Sequence, residues 1–203
     1  MAINAARAVL RQGKSALLIC DIQESFAKVV KDFDNFVKNS SKMVNALRIL
    51  NIPMIVSEQN PKGLGKTVTE IDISSAKGPF AKTLFSMCTP EIRKELSTIC
   101  GGQAPESIIL MGLEAHICVE NTAVDLRIDG YEVHVVADCC VSRTQEDRLL
   151  ALQRMQNIGC HIATSENVLY KLMQNANHKE FKKVLSLVKT PIAYTGLVPI
   201  SKV

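Results

Sequence analysis

Short apolar runs alternate with segments of helical periodicity along most of the chain. Apolar runs without polar alternation are typical of parallel strands that are buried on both faces of a sheet. Such runs are found at residues 15–20, 54–56, 107–111 and 132–138. Between the first two, Phe36, Met43, Leu47 and Leu50 recur at helical spacing. This alternation predicts an α/β fold with a parallel sheet, right-handed crossovers and helices on both faces.

The remaining segments complete the pattern. Thr89 followed by Pro90 is a helix start, because Thr caps free backbone N–H groups and Pro suits the first helical turn. The loop 57–65 contains Pro61, Gly63 and Gly65 but no GxGxxG or Walker spacing, so it is predicted to be a pocket wall. Helices are predicted at about 166–174 and 178–189, the second with one lysine-rich face and one apolar face that docks on the core.

Length and charge predict one domain and exclude several functions. The 203 residues suit a single domain over 1–203, with a core at about 15–175. No stretch reaches the roughly 20 apolar residues of a membrane helix, so a soluble protein without membrane contact is expected. The net charge of +4 is small and scattered, and Trp is absent, which argues against a nucleic-acid partner.

Cysteine usage and the first residues indicate the compartment. The seven cysteines are an odd number without CxxC spacing, which favours free thiols in a reducing environment. The cytoplasm is therefore expected. The first 20 residues contain Arg7, Arg11 and Lys14 but no acid, so a mitochondrial presequence remains the alternative.

The stretch from Gly112 to Cys118 predicts a strand, a tight turn and a helix that carries a thiol. Gly112 ends the apolar run 107–111, and helical periodicity continues from Ile117 to Asp129. Cys118 would then lie in the first helical turn, where free backbone N–H groups and the helix dipole stabilise a thiolate. The alternative is a cysteine that only packs in the core.

An acid and a lysine occupy two other informative positions. Asp21 directly follows the first apolar run, at the carboxyl end of a strand where open α/β sheets bind ligands. It could instead cap the next segment. Lys82 lies among apolar residues and would need a nearby carboxylate such as Asp21 to offset its desolvation. Its alternative is a lysine that extends from an edge strand into solvent.

A base, a cation and a thiol suffice for covalent acyl transfer. Asp21 would take the proton of the Cys118 thiol, and Lys82 would favour the thiolate. Backbone N–H groups near Glu114 and Cys118 would hold the oxyanion, an effect of about 3 kcal/mol per donor. Water would then hydrolyse the thioester, so no cofactor is needed. His116 beside the turn either lines the pocket or caps the helix.

These residues resemble those of a known family. Asp21-x-Gln23, Lys82 and the Gly112-x-Glu-Ala-x-x-Cys118 turn resemble the Asp, Lys and Cys set of the isochorismatase-like cysteine hydrolases, over residues 15–175. The segments 57–65 and 82–87 and the pair Ser142-Arg143 are more similar still to the eukaryotic isochorismatase domain-containing proteins.

The resemblance implies a three-layer, doubly wound, mostly parallel sheet of six strands and a dimer or larger homo-oligomer. It implies a nucleophile at Cys118, a base at Asp21 and Lys82 between them. It also implies a cis bond at Leu113–Glu114, with the Glu114 and Cys118 amides as the oxyanion hole. The residues expected in the substrate pocket are Gln23, Phe26, Gln59, Phe85 and His116.

Departures from the family pattern limit the substrate. Nicotinamidases hold a metal through an acid and histidines after the second strand, but here no histidine precedes His116, so no metal site is expected. Isochorismatases proper cleave a vinyl ether without a cysteine at this position, so Cys118 favours an amide-like small molecule. Two alternatives remain, an interaction protein that keeps the fold and a vinyl-ether hydrolase whose cationic clamps would be Lys82 and Arg143.

Overall fold

Six parallel strands form one sheet in the computed structural model of this chain, which describes residues 9–197. Their order across the sheet is β3-β2-β1-β4-β5-β6, and every neighbouring pair is parallel. The predicted α/β fold is confirmed. The strands are β1 (Ser15–Cys20), β2 (Met54–Gln59), β3 (Lys77–Lys82), β4 (Ser107–Leu113), β5 (Glu132–Val141) and β6 (His161–Ala163).

Helices cover both faces of this sheet. Helices α1, α6 and α7 contact one another on one side, whereas α4 and α5 contact each other, and both groups contact β5. Three of the helices begin at a Thr whose side chain accepts a backbone N–H from the first turn, namely Thr89, Thr144 and Thr164. The helices are α1 (Phe33–Ile49), α2 (Pro61–Leu64), α3 (Pro90–Leu96), α4 (Glu120–Ile128), α5 (Gln145–Asn157), α6 (Ser165–Met173) and α7 (Phe181–Val188).

The central strands β1 and β4 place the candidate site. All their residues are buried, and Cys20 at the end of β1 pairs with Gly112 in β4. A side chain at Gly112 is impossible, because its Cβ would lie 2.0 Å from the carbonyl oxygen of Cys20. The chain order reverses between these two strands, and in such sheets the crevice at the carboxyl ends holds the ligand. Asp21 and the turn after β4 therefore open onto the same crevice.

Two local predictions were wrong. The segment 57–65 is not a simple loop, because pairing with the edge strand β3 extends β2 to Gln59 and Pro61 starts helix α2. Cys118 does not lie in the first turn of α4. It lies in a wider π-helical turn, Ala115–Val119, in which the N–H of Val119 donates to the carbonyl of Glu114 at 3.2 Å.

The ends of the chain bear on two further expectations. Helix α7 begins at Phe181 and packs on α1 and α6, while the single-domain division of 1–203 stays a prediction. The basic segment considered as a presequence includes Arg7, which lies outside the described residues. Between residues 9 and 197, no helix combines the length and the apolar character that crossing a bilayer requires.

Candidate active site

Asp21 is fully buried directly after β1. Its backbone lies in the left-handed region with φ of 51°, a conformation that Asp adopts more readily than most residues. Its Oδ1 accepts a hydrogen bond from Ser57 Oγ at 2.6 Å, and its Oδ2 accepts one from Lys82 Nζ at 2.7 Å. The carboxylate thus bonds side chains from two other strands instead of capping the next segment.

Lys82 ends β3 with a side chain that has no exposed surface. Besides Asp21, its Nζ donates to Gln59 Oε1 at 2.8 Å and to the carbonyl oxygens of Leu84 and Phe85, each at 3.1 Å. Four acceptors therefore surround the three protons of the ammonium group, which leaves no spare donor. The alternative of a lysine that extends into solvent is wrong, and Lys82 is a fixed buried cation.

The electrostatics of Lys82 connect it to Cys118. Burial acts to lower the pKa of Lys82, but the opposing effects of Cys20, Asp21 and Cys118 together outweigh it and raise this pKa above its usual value. A negative charge on the Cys118 sulfur is thus stabilised by the ammonium group, and the ammonium group by that charge. The thiol, the acid and the lysine all lie at the carboxyl ends of the strands.

Cys20 links the acid electrostatically to the candidate nucleophile. Its Sγ donates to Asp21 Oδ2 at 3.5 Å. Burial, the neighbouring Cys118 thiol and the charge of Asp21 raise the pKa of Cys20 well above its usual value. Cys20 therefore remains a neutral thiol at physiological pH.

The turn that carries Cys118 is tied to the segment after Lys82. Thr122 Oγ1 donates to the carbonyl oxygen of Cys118 at 2.6 Å and accepts the N–H of Met87 at 2.8 Å. Thr122 is fully buried, so water does not compete for these bonds. The positions of the thiol and of the lysine loop are thereby coupled.

The Leu113–Glu114 peptide bond is cis, at the position where the resemblance implies such a bond. The buried carboxylate of Glu114 accepts two contacts from Arg143 Nε, at 2.7 and 3.2 Å. His116 Nδ1 lies 2.9 Å from Ser142 Oγ, so this ring braces the loop after β5.

A cavity of about 360 Å³ opens beside Cys118. Three of the expected pocket residues, Phe26, Gln59 and Phe85, line it, whereas Gln23 and His116 do not. The amide of Gln23 instead donates to the carbonyl oxygens of Gln59 and Gly65 and accepts the N–H of Gln59, so it braces the loop behind the wall. The other lining residues are Ser25, Val29, Leu64, Glu114, Ile117, Cys118 and Arg143.

Other parts of the structure do not offer a comparable site. A larger cleft of about 660 Å³ lies between α1 and residues 187–193, but the described residues that line it include no cysteine or histidine. In the described part of the chain, no group of three or more His, Cys, Asp or Glu side chains is placed to hold a metal ion.

Residues 15–167 match the Isochorismatase domain family. The chain belongs to this family. Isochorismatase domain-containing protein 2 of Xenopus laevis is 44% identical over 191 residues, which cover 93% of this chain and 90% of that protein. Isochorismatase domain-containing protein 1 of Danio rerio is 42% identical over 189 residues, which cover 93% of this chain but only 66% of that longer protein.

Solved structures share the isochorismatase fold. The structure of MAR1 ribonuclease from Caenorhabditis elegans is 41% identical in sequence and superposes with a TM-score of 0.88, covering 96% of this chain and 100% of that chain. The isochorismatase-like hydrolase fold of this protein is thus shown by both sequence and structure. Three of the residues around its candidate site, Cys20, Ser57 and Thr122, were not identified from the sequence, because their contacts depend on how distant segments align.

Proposed function

We propose that this protein is a cysteine hydrolase of a small amide-like substrate, with Cys118 as nucleophile, Asp21 as base and Lys82 as a fixed cation. One observation carries the proposal: a buried Asp21–Lys82 ion pair of 2.7 Å lies next to a thiol that faces a cavity. Burying two charges is unfavourable unless their geometry is good, and such pairs with a nucleophile and a cleft are typical of active sites.

The first half of the reaction forms a thioester. Asp21 accepts the proton of the Cys118 thiol, and the sulfur attacks the substrate carbonyl carbon. The amides of Glu114 and Cys118, both residues of the cavity wall, hold the oxygen that becomes negative. When the tetrahedral intermediate collapses, the carbon–nitrogen bond breaks and the departing amine takes the proton from Asp21.

The second half releases the acid. Asp21 accepts a proton from water, and the resulting hydroxide attacks the thioester carbonyl. The carbon–sulfur bond breaks, the acid leaves, and the Cys118 sulfur is reprotonated by Asp21. Lys82 gives up no proton in this cycle, because its donors are fully used and its role is to stabilise the negative charge of Asp21 and of the thiolate.

The cavity supports a small and partly apolar substrate. Its volume of about 360 Å³ lies at the lower end of the range for small-molecule sites. Phe26, Val29, Leu64, Phe85 and Ile117 supply apolar walls, and the polar lining side chains besides Cys118 are Ser25, Gln59, Glu114 and Arg143. Such a wall selects by shape and apolar contact more than by charge.

The similarity to MAR1 ribonuclease favours RNA cleavage as a second candidate function. Phe85 is 57% exposed at the cavity and offers a face on which a base can stack. However, Arg143 is the one cation among the cavity-lining residues, whereas RNA-binding grooves follow the phosphate backbone with several. We therefore rank the small amide first.

A panel of small amides, ureides and short RNA oligonucleotides tests both candidates with wild type, Cys118→Ala and Cys100→Ala. We expect turnover of at least one amide or ureide, a loss of roughly 10³-fold or more in Cys118→Ala, and no change in Cys100→Ala, whose thiol lies outside the site.

RNA cleavage without amide turnover would favour the second candidate. Turnover that survives Cys118→Ala would contradict both the nucleophile and the thioester. Turnover of no compound, with protein partners that remain bound to Cys118→Ala, would favour the interaction-protein alternative.

We also propose that the protein forms a homo-oligomer. Helices α4 and α5 expose apolar side chains, with Ile128 77% and Leu149 58% exposed, and such side chains are often covered by a second copy. Light scattering after size-exclusion chromatography should give a multiple of the 22.3 kDa chain mass.

A further inference from the structure

Ser57 contacts Asp21 twice from the neighbouring strand. Its backbone carbonyl accepts the N–H of Asp21 at 3.2 Å, and its hydroxyl donates to Asp21 Oδ1 at 2.6 Å. Both residues are fully buried, so no water replaces either bond. Cys20 pairs with Ser57 in the β1–β2 ladder, so Asp21, the residue after Cys20, lies beside Ser57.

These contacts fix which carboxylate oxygen faces the thiols. Oδ1 is held by Ser57 on β2 and Oδ2 by Lys82 on β3, so rotation of the carboxylate would break bonds to two strands. Oδ2 is also the oxygen that the Cys20 thiol contacts, and the neighbouring Cys118 thiol raises the pKa of Cys20. Oδ2 is thus the carboxylate oxygen on the side of the two thiols.

The end of β2 supports both charges of the pair. Ser57 and Gln59 are two residues apart on one strand, so their side chains point to the same face of the sheet. Ser57 holds the acid, and Gln59 Oε1 accepts from Lys82 Nζ at 2.8 Å. Because Ser57 is uncharged, its removal alters the environment of the acid without changing the charge of the site.

We propose that Ser57 is a positioning residue that holds the Asp21 carboxylate through Oδ1, so that Oδ2 faces Lys82 and the thiols. A base takes a proton efficiently only when its accepting oxygen is held within hydrogen-bond reach of that proton. The hydrogen bond from Ser57 therefore increases the rate at which Asp21 activates Cys118. This inference rests on the proposed roles of Asp21 and Cys118.

The test is the rate at which iodoacetamide alkylates Cys118 in the folded protein, with the modified peptide quantified by mass spectrometry after digestion. Wild type and Ser57→Ala are compared with Ser15→Ala as a matched control. Ser15 is equally buried and donates one hydrogen bond, to the carbonyl of Arg11 at 2.7 Å. It lies at the amino end of β1, however, away from the carboxyl ends of the strands that form the site.

We expect Cys118 of Ser57→Ala to be alkylated roughly tenfold more slowly than Cys118 of the wild type, because a misplaced base loses catalytic efficiency. Ser15→Ala should keep the wild-type rate. If Ser57→Ala does not fold, Ser57→Thr and Ser57→Val replace it, because they share a shape and differ in the hydroxyl. Only the Val variant should then react more slowly at Cys118.

Three results would contradict the inference. A folded Ser57→Ala that is alkylated at Cys118 at the wild-type rate would reduce Ser57 to a packing residue and overturn the inference while leaving the proposed function intact. A Val variant that matches the Thr variant would do the same. A wild-type Cys118 that reacts no faster than Cys100 would instead overturn the proposed function and this inference together.

Discussion

The sheet buries titratable side chains in two places that differ in how they are stabilised. At the carboxyl ends of β1 and β3, Asp21 and Lys82 are charged, hydrogen bonded and adjacent to a cavity. Near the amino end of β5, His134 stacks on His161 with ring centroids 4.6 Å apart, and neither of its ring nitrogens has a hydrogen-bond partner within residues 9–197.

The difference shows why a perturbed pKa alone does not identify a functional site. Burial, followed by the charges of His161 and Lys171, lowers the pKa of His134 to about 3, yet this ring does not line the cavity beside Cys118. It is kept neutral as a core residue. The candidate site is identified by the combination of paired charges, a nucleophile and a cavity.

The largest expected effect is that of Lys82→Met. The substitution leaves Asp21 buried without its cation, which we expect to lower the free energy of unfolding by about 3–5 kcal/mol in urea titrations. Lys77→Met is the matched control, because Lys77 begins the same strand with a side chain that is 63% exposed and should lose less than about 1 kcal/mol. Similar losses in both variants would show that the buried ion pair contributes no more to the free energy of unfolding than an exposed lysine does.

His134→Phe should change how stability depends on pH. The unfolded chain binds a proton at His134 below pH ~6.5, but the folded protein does so only near pH 3, so acid favours unfolding between these values. Wild type should therefore lose up to ~1.4 kcal/mol more per pH unit than His134→Phe across this window. The difference in free energy of unfolding between the two proteins cancels the contributions of the carboxylates that they share. Parallel curves of this free energy against pH would show that His134 binds a proton as readily in the folded protein as in the unfolded chain.

Arg154→Ala should have the smallest effect. Arg154 on α5 makes two contacts with Glu120 on α4, at 2.6 and 2.7 Å, but the side chain of Arg154 is 51% exposed. Ion pairs in solvent contribute roughly 0.2–1 kcal/mol and weaken with salt, so the loss should shrink when the unfolding titration is repeated in 1 M NaCl. A loss comparable to that of Lys82→Met would remove the distinction between buried and exposed pairs.

The parts of the site that follow from strand ends could be predicted from the sequence. The apolar run that forms Ser15–Cys20 has a clear end, so the position of Asp21 in the crevice follows from it. The need of Lys82 for a carboxylate follows from the apolar residues around it, and the observed partner is the predicted one. Both inferences depend on local pattern and on a general rule for parallel sheets.

The contacts that depend on distant pairing could not be predicted. Strand β2 continues to Gln59 because the edge strand β3 pairs with it, and no local signal shows where that pairing stops. Gln23 was expected in the pocket, but its side chain is turned toward the backbone of the loop that contains Gly65. Ser57 had no motif of its own, since its contact with Asp21 arises from the register of β1 against β2.

Competitive alkylation of the seven cysteines by substoichiometric iodoacetamide tests the central claim most directly. Cys100 is partly exposed and the other six are buried, so exposure alone predicts that Cys100 reacts first. Activation by Asp21 and Lys82 predicts instead that Cys118 reacts at least ~10-fold faster than Cys100, and that Asp21→Asn removes this lead. A lead of Cys100 in the wild-type protein, with Cys118 no faster than the other buried thiols, would contradict the account.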